Sequence, residues 1–292
     1  MAERTTLMVN GLPGKMSKII AGGILTESRG KYDLMDVALT GPNQLDTLIL
    51  ENRLSPAEIH LIPPEEHENT LKEIVENYKN RKVITIDFCK GKGVADRNVQ
   101  LYCKYRIPFV QGSTGGDPDL PPRLAEETRT PCVVYPNMDL RIVAWIAGIE
   151  HMAKEYAGAF RGSKISLEET HQADKIKADG TPETSGTMKR TLKAFNRLLG
   201  DGNLVETDIS SIRDRKTQAG LFGVPEKWLG WHAYHFFKVY DEHDGVEDSE
   251  ELIFKRHGGE SYRRGAMLAV DFLADGKNNK YFNNMIDVLR TN

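Results

Sequence analysis

Short apolar runs alternate with helical segments along the first half of the chain, and this alternation limits the possible folds more than any other feature. The strand-like runs are at 6–9, 34–39, 59–62, 83–88, 109–111 and 132–135. The segments with helical spacing are at 15–25, 65–80 and 94–105, and a short helix is expected between Asp117-Pro118 and Pro121-Pro122. Strands that alternate with helices are typical of a parallel sheet covered on both faces. The sequence therefore predicts an α/β fold.

The pattern changes near residues 137–140, where we place a domain boundary. Beyond it, helices are expected over 140–160, 185–199, 262–274 and 281–290, and strands over 164–172, 205–213, 231–240 and 251–255. The later strands are long, partly exposed and alternate with period two, which indicates an antiparallel or mixed sheet. The second part of the chain is therefore predicted to be an α+β domain.

The near balance of charges argues against a dedicated binder of polyanions. Lys and Arg number 39 against 42 Asp and Glu, which gives a formal net charge of −3, so we expect no nucleic-acid partner. The longest strongly apolar run, at 142–149, is far short of the roughly 20 residues that span a bilayer, so we expect no membrane partner either.

Cysteine usage and the start of the chain bear on location and metal content. Cys89, Cys103 and Cys132 are scattered and odd in number, which favours a reducing compartment. No signal peptide is visible, so we expect the cytoplasm, or the plastid stroma if a transit peptide has been removed. No metal is expected, because the chain has no C-x-x-C or H-E-x-x-H pattern, and His232 and His235 fall on opposite faces of a predicted strand.

A glycine-containing turn links the first strand to the first helix. Its sequence is Val9-Asn10-Gly11-Leu12-Pro13-Gly14-Lys15-Met16-Ser17. Glycines let the backbone turn tightly and approach an anion, and the N–H groups at a helix start favour a dinucleotide phosphate. The G-x-G-x-x-G fingerprint is broken, with Pro13 and Ser17 among the residues that depart from it, so an ordinary strand-to-helix turn is the alternative.

The ends of three further strands bear on the cofactor. Thr40 stands where an NAD-binding domain usually has a carboxylate for the ribose hydroxyls, so we expect NADPH, with NADH possible. Gly112, Ser113 and Thr114 lie in a glycine-rich segment after one strand, and Asp87 and Phe88 end another, at the edge where open α/β sheets bind ligands. A plain turn or flexible loop is the alternative at each place.

A polar segment in the second domain could bind and protonate an anionic substrate. His171 supplies a titratable acid, and Lys175 supplies a fixed cation. Further on, Ser185-Gly186-Thr187 opens a predicted helix with small residues, which makes its N–H groups a possible carboxylate cradle. Taken singly, the histidine is more often a satisfied strand residue, and the serine only a helix cap.

Taken in order along nearly the whole chain, these motifs resemble the dihydrodipicolinate reductase (4-hydroxy-tetrahydrodipicolinate reductase) family, and its plant-type branch in particular. The matching segments are Val9–Met16, Val110–Gly116, Pro136-Asn137-Met138, His171-Gln172-Ala173-x-Lys175, Ser185-Gly186-Thr187, Gly223-Val224-Pro225, Gly230–His235 and Asn284–Arg290. No single motif is specific, but the ordered set is.

The resemblance implies a Rossmann dinucleotide-binding domain over 1–137, joined by C-terminal helices over 262–292, and a substrate-binding and oligomerisation domain over 138–261. It implies an oxidoreductase of lysine biosynthesis through diaminopimelate, with hydride transfer from NAD(P)H to a cyclic unsaturated dicarboxylate, in a homodimer or homotetramer. His171 and Lys175 would be catalytic, and Ser185, Gly186 and Thr187 would bind substrate. The cofactor-binding residues would be Gly11, Pro13, Gly14, Lys15, Met16, Thr40, Asp87, Phe88, Gly112, Ser113, Thr114, Pro136 and Asn137.

The chain also departs from the family pattern. Nine residues, 176–184, separate Lys175 from Ser185, where the family has about three or four. Lys177 in that stretch competes with Lys175 for the same role. The altered 176–184 stretch leaves open a paralogous reductase of another cyclic imine or enamine acid. The imperfect phosphate loop leaves open a non-catalytic relative that binds NADPH.

Overall fold

The computed structural model describes residues 4–27, 30–42, 46–51, 56–91, 93–113, 116–171, 176–200, 204–229, 232–276 and 280–291. The chain divides into two compact units. Unit 1 comprises Met1–Leu140 with Tyr262–Asn292, and unit 2 comprises Arg141–Ser261. Within the described ranges, no helix is both long enough and apolar enough to cross a membrane.

The elements follow one another in mixed order along the chain. The strands are β1 (Thr5–Asn10), β2 (Tyr32–Leu34), β3 (Val37–Leu39), β4 (Thr47–Leu50), β5 (Ala57–Ile62), β6 (Val83–Asp87), β7 (Phe109–Gln111), β8 (Cys132–Val134), β9 (Lys164–Thr170), β10 (Ile209–Ile212), β11 (His232–His243), β12 (Val246–His257) and β13 (Phe282–Asn283). The α-helices are α1 (Lys15–Thr26), α2 (His67–Asn77), α3 (Val94–Lys104), α4 (Leu120–Thr128), α5 (Leu140–Glu155), α6 (Gly186–Leu199), α7 (Arg215–Phe222), α8 (Glu260–Ala274) and α9 (Met285–Thr291).

Unit 1 is built on a parallel sheet with the strand order β13-β8-β7-β6-β1-β2. Apolar side chains of α3, among them Val99 and Tyr102, pack with Met8 and Phe109 of the sheet in one core. The prediction of an α/β fold on a parallel sheet is confirmed. The parallel register matters for the site, because it brings the carboxyl ends of neighbouring strands to one edge.

Four details of unit 1 differ from the sequence prediction. The short helix expected between Asp117-Pro118 and Pro121-Pro122 is α4, which includes the second proline pair and extends to Thr128, because proline is tolerated in the first turn of a helix. The run 34–39 is not one strand: the chain bends at Met35 and Asp36, so that β2 pairs with β1 while β3 joins a separate sheet ordered β3-β5-β4. Strand β4 was not predicted. The expected helix over 281–290 begins with β13, which adds a parallel strand beside β8. A continuous apolar run does not reveal a bend or a change of sheet.

Unit 2 contains a mixed sheet with the order β10-β9-β11-β12, in which β9 and β10 are parallel and β9, β11 and β12 are antiparallel. Helix α6 buries Met188, Phe195 and Leu198 against Leu167 and Phe237 of the sheet. The predicted mixed sheet is therefore confirmed, and α6 is the element that covers one of its faces.

Three other segments of unit 2 differ from the sequence prediction. The stretch 205–213 was predicted as a strand, but it starts with a 3-10 turn at Glu206–Asp208, because Asp208 accepts a hydrogen bond from Val205 N at 2.7 Å. Helix α7 was not predicted, although Asp214 caps its start by accepting from Thr217 N at 2.7 Å and Gly223 ends it. The helix expected over 140–160 ends as an α-helix at Glu155 and continues as a 3-10 turn.

Candidate active site

Three loops of unit 1 meet where β1, β6 and β7 end. The register pairs Asn10 with Asp87 and Asp87 with Gln111, so the residues that follow these strands lie side by side. Gly11 N donates to Leu39 O at 2.8 Å, and Gly112 N donates to Asp87 O at 3.0 Å. The structure thus brings together the predicted phosphate loop, Asp87 and Phe88, and the start of the glycine-rich segment. Thr114 lies outside the described residues.

A buried polar network fixes these strand ends. The Asp87 side chain is fully buried and accepts from Cys89 N at 2.8 Å, Ser113 Oγ at 3.0 Å, Asn98 Nδ2 at 2.8 Å and Tyr102 OH at 2.7 Å. Burial and then the nearby Asp87 carboxylate raise the pKa of Tyr102 well above its usual range, so the phenol stays a donor. The carboxylate of Asp87 therefore holds the loops together rather than facing outward.

Asn10 joins the phosphate loop to the same network. Its Nδ2 donates to Tyr102 OH at 2.8 Å, and its Oδ1 accepts from Leu39 N at 2.8 Å. Ser17 Oγ donates to the backbone oxygen of Asn10 at 2.9 Å, which holds α1 against the end of β1. Ser17 thus keeps the helix close to the strand by a hydrogen bond.

Two glycines are required by close packing around Phe88. Gly11 has φ +88°, and a Cβ there would lie 2.8 Å from Cys89 N and 2.9 Å from the carbonyl carbon of Phe88. A Cβ on Gly112 would lie 2.3 Å from the Phe88 ring. Phe88 therefore occupies the space between the phosphate loop and the glycine-rich segment.

The start of α1 suits a dinucleotide phosphate. Gly14 N donates to Gly11 O at 2.8 Å, and α1 begins at Lys15 with no side-chain cap and no acidic residue in its first turn. The uncapped N–H groups and the positive end of the helix dipole both favour an anion. The residues present, including Met16 in the first turn and the exposed Lys15, fit the phosphates of a nicotinamide dinucleotide.

Thr40 lies beside this loop, but its hydroxyl is directed inward. The residue is buried, its Oγ1 donates to Leu12 O, and its N donates to Ile62 O at 2.9 Å. His67 Nε2 lies 3.1 Å from Thr40 O and 3.0 Å from Ile62 O. The described part of this edge thus presents no carboxylate at position 40, and any contact of Thr40 with the cofactor would come from its backbone.

The segment expected to lead into the domain hinge lies next to the same edge. Tyr135 N donates to Gln111 O at 3.1 Å, so Pro136 follows directly on a strand end. Asn137 is fully buried, and its Oδ1 accepts from Asp139 N at 2.7 Å. Its amide thus shapes the turn, and its predicted role in cofactor binding stays a prediction.

In unit 2, the predicted acid and the predicted cradle lie at the same end of β9. Glu169 is the last residue but one of β9 and contacts the residue that precedes α6, and His171 directly follows β9. The fully buried Glu169 carboxylate accepts from Ser185 N at 3.0 Å. Because Ser185 directly precedes α6, this bond brings the start of that helix close to the end of β9.

The cradle itself is an ordered helix start. Ser185 caps α6 by accepting from Met188 N at 3.1 Å, and its own N–H is bound by Glu169. Gly186 and Thr187 occupy the first two helical positions, where N–H groups have no acceptor within the helix. Because Glu169 already accepts from the Ser185 N–H, that group is not available to a substrate carboxylate.

The segment between acid and cradle contains an exposed hairpin. Ile176 pairs with Pro182 as an antiparallel bridge, Lys177 N donates to Thr181 O at 2.8 Å, and Asp179 Oδ1 accepts from Thr181 N at 2.9 Å. Lys177 is exposed in this turn. Lys175 lies outside the described residues, so the geometry does not decide which of the two lysines binds the substrate.

Sequence reasoning missed several residues that hold the site. Gln218 on α7 is fully buried and donates from Nε2 to His171 O at 2.7 Å and to Ile212 O at 3.0 Å. Arg213 donates from Nη2 to Glu169 Oε1 at 2.8 Å. Arg213 lies in the stretch predicted as one strand, and Gln218 lies on the unpredicted helix α7, whose capping Asp214 and terminal Gly223 were the available signals.

The chain is similar to curated proteins over almost its whole length. The 4-hydroxy-tetrahydrodipicolinate reductases 2 and 1, chloroplastic, of Arabidopsis thaliana are 33% and 32% identical over 289 residues each, which is 98% of this chain and 77% and 78% of the relatives. A dipicolinate-bound dihydrodipicolinate reductase from Paenisporosarcina sp. has a TM-score of 0.60 at 17% identity, with 98% of this chain and 99% of that chain covered. No family model matches the sequence.

The fold and the relatives together define an oxidoreductase with a parallel dinucleotide-binding sheet and a separate mixed sheet. The chain belongs to the 4-hydroxy-tetrahydrodipicolinate reductase family, and its place is in lysine biosynthesis. The resemblance drawn from the motifs is thereby confirmed, as is the prediction of an enzyme.

Proposed function

We propose that this chain reduces 4-hydroxy-tetrahydrodipicolinate with NADPH, unit 1 binding the cofactor and unit 2 the substrate. The observation that carries the proposal is the bond between Glu169 and Ser185 N, at 3.0 Å. It brings a helix start suited to a carboxylate close to the end of β9, which His171 directly follows. Family membership supplies the substrate class, and the uncapped start of α1 supports the dinucleotide.

In this proposal each residue has a distinct task. NADPH supplies the hydride. The N–H groups of Gly186 and Thr187, with the Ser185 hydroxyl, hold one substrate carboxylate by charge-assisted hydrogen bonds. His171 gives a proton to the reduced ring, and Gln218 fixes its backbone at 2.7 Å. Lys175 neutralises a carboxylate and the developing negative charge.

The proposed cofactor-binding residues of unit 1 are assigned roles in the same way. The helix start at Gly14, Lys15 and Met16 would hold the pyrophosphate, with Gly11 and Pro13 shaping the loop. Phe88, Gly112, Ser113 and Thr114 would line the nicotinamide side, and Pro136 and Asn137 would close it. Asp87 acts by holding these loops through its four hydrogen bonds.

A steady-state assay with enzymatically generated substrate and each cofactor tests the proposal. We expect turnover, and His171→Gln should lower kcat by about 10²–10⁴-fold, the usual contribution of a general acid, with NADPH affinity unchanged. His243→Gln is the matched control, because His243 is an exposed histidine at the last position of β11. Absence of turnover by the wild-type protein would refute the proposal.

The inserted hairpin at 176–182 favours one second candidate, a reductase of another cyclic imine or enamine acid. Cyclic imine monocarboxylates in the same assay separate the two, because the proposed dicarboxylate site should give them a lower kcat/KM. We also propose a homodimer or homotetramer, which light scattering measures directly.

A further inference from the structure

Glu169 and Arg213 form a buried ion pair beneath the proposed carboxylate cradle. The exposed fractions of the two side chains are 0% and 7%, and Arg213 Nη2 lies 2.8 Å from Glu169 Oε1. The same carboxylate accepts from Ser185 N at 3.0 Å and from Ser211 Oγ at 3.3 Å. One buried anion thus links β9, β10 and the residue that caps α6.

Arg213 also binds two backbone carbonyl oxygens, one of them just before the cradle. Its Nη2 donates to Glu183 O at 2.6 Å, and its Nη1 donates to Ile212 O at 3.1 Å. A guanidinium can direct several N–H groups at once within one plane, which a lysine ammonium on a flexible stem does not do. Arg213 therefore fixes the chain two residues before Ser185, while Glu169 fixes Ser185 itself.

Stability alone does not account for such a pair. Two buried charges lose hydration, and well-packed apolar residues in their place are often equally or more stabilising. Burial opposes ionisation of Glu169, but the hydrogen bonds from Ser185 and Arg213 outweigh it and lower the pKa of the carboxyl. Two of the backbone groups that the pair binds, Glu183 O and Ser185 N, lie at the start of the cradle.

The inserted hairpin gives a reason why the start of α6 needs the contacts of Glu169 and Arg213. The chain leaves β9, forms the hairpin between Ile176 and Pro182, and returns at Glu183. A longer connection specifies the position of its ends less tightly. Because Arg213 binds Glu183 O and Glu169 binds Ser185 N, the start of α6 is set independently of the length of the hairpin.

We propose that Glu169 and Arg213 are positioning residues for substrate-carboxylate binding, which act by holding the Ser185-Gly186-Thr187 turn. The assignment rests on the proposed function, because it requires that this turn binds a carboxylate. It adds to the substrate site two residues that are not part of the segments matched to the family.

The test compares Glu169→Gln and Arg213→Lys with wild type by calorimetric titration of pyridine-2,6-dicarboxylate and pyridine-2-carboxylate. Wild type should prefer the dicarboxylate. Both variants should bind it at least about tenfold more weakly, as expected for loss of a charge-assisted hydrogen bond, and should lose most of the preference over the monocarboxylate. NADPH affinity should stay within about twofold, because the pair lies in unit 2.

Glu242→Gln is the matched control, because it removes a carboxylate from an ion pair of the same sheet, with Lys164, that is more than half exposed. Folded variants that keep the dicarboxylate preference of wild type would overturn the assignment and leave the proposed function standing. If Glu169→Gln does not fold, Arg213→Lys, which keeps the charge, decides alone. A wild-type protein that neither binds the dicarboxylate nor turns over would overturn both proposals.

Discussion

Asp87 is the residue on which the loops of unit 1 converge, and its four donors make it the most sensitive position of that edge. Asp87→Leu keeps a similar shape but leaves those donors without acceptors. Each buried unsatisfied group costs about 1–3 kcal/mol, so the free energy of unfolding should fall by about 3–5 kcal/mol. Urea denaturation measures it. Asp87→Asn, which keeps one acceptor oxygen, should lose less, and equal losses would contradict the role of the carboxylate.

His67 gives unit 1 a stability that depends on pH. Burial lowers the pKa of His67 from its ordinary value of 6.5, and its buried Nδ1 has no hydrogen-bond partner among the described residues. The unfolded chain then binds the proton more readily than the folded one. The contribution of the neutral ring is therefore present above pH 6.5 and is lost as the pH falls from there through the lower folded pKa.

The measurement is the free energy of unfolding of wild type and His67→Gln between about pH 7.5 and about pH 5.5. Glutamine can donate to the same carbonyls of Thr40 and Ile62 but does not titrate. Wild type should lose more stability than the variant across this range. Parallel profiles would show that the ring does not resist protonation.

Among the elements, the inserted hairpin contains Lys177 but not Lys175, and mutation of each lysine tests which of them binds the substrate. Lys177 is exposed in the turn, whereas Lys175 keeps the family's spacing of four from His171. Lys175→Ala should lower kcat/KM by at least about 10²-fold, because a cation that meets a carboxylate contributes to binding and to the transition state. Lys177→Ala is the matched control and should change it by no more than about 0.5 kcal/mol. The opposite ranking would assign the role to Lys177.

The hairpin should also be removable. Ile176 and Pro182 already face each other as a bridge pair, and a two-residue Asn-Gly loop is the commonest way to close such a pair. Replacing 177–181 by Asn-Gly should therefore leave the melting temperature within about 3 °C and kcat/KM within about threefold, since Arg213 and Glu169 hold the cradle. Asp179→Ala, which removes only hydrogen bonds within the turn, is the control. A loss above about tenfold would mean that the hairpin takes part in substrate binding.

For the whole molecule, the sequence predicted the elements that have a regular apolar pattern, but it did not predict which distant strands pair. Period and composition located β1, α1 and α6, and the ordered motifs identified the family. The bend at Met35 and Asp36 and the change of sheet after it depend on pairing with distant strands, which a local pattern does not contain. The supports of the site, such as Gln218, come from a helix whose capping Asp214 and terminal Gly223 were visible but were not recognised.

Cofactor choice is a property of the assembled sheet edge, where β3, the phosphate loop and the start of α1 meet. The described part of that edge has no carboxylate at position 40, so nothing there should bind a ribose 2′-hydroxyl or repel a 2′-phosphate as an acid would. Calorimetric titration should therefore give NADPH an affinity at least about tenfold above that of NADH. Equal or stronger binding of NADH by wild type would contradict this expectation.

Gly41 offers a way to test the electrostatic reason without disturbing the loop. It directly follows the buried Thr40, and a Cβ at Gly41 meets no atom within 4 Å, so a side chain fits without strain. Gly41→Asp should weaken NADPH far more than NADH, because a carboxylate repels the 2′-phosphate and can accept from a 2′-hydroxyl. Gly41→Asn has the same shape without the charge and should keep the preference of wild type. If both variants shift the preference equally, steric fit at this edge, and not charge, sets the choice of cofactor.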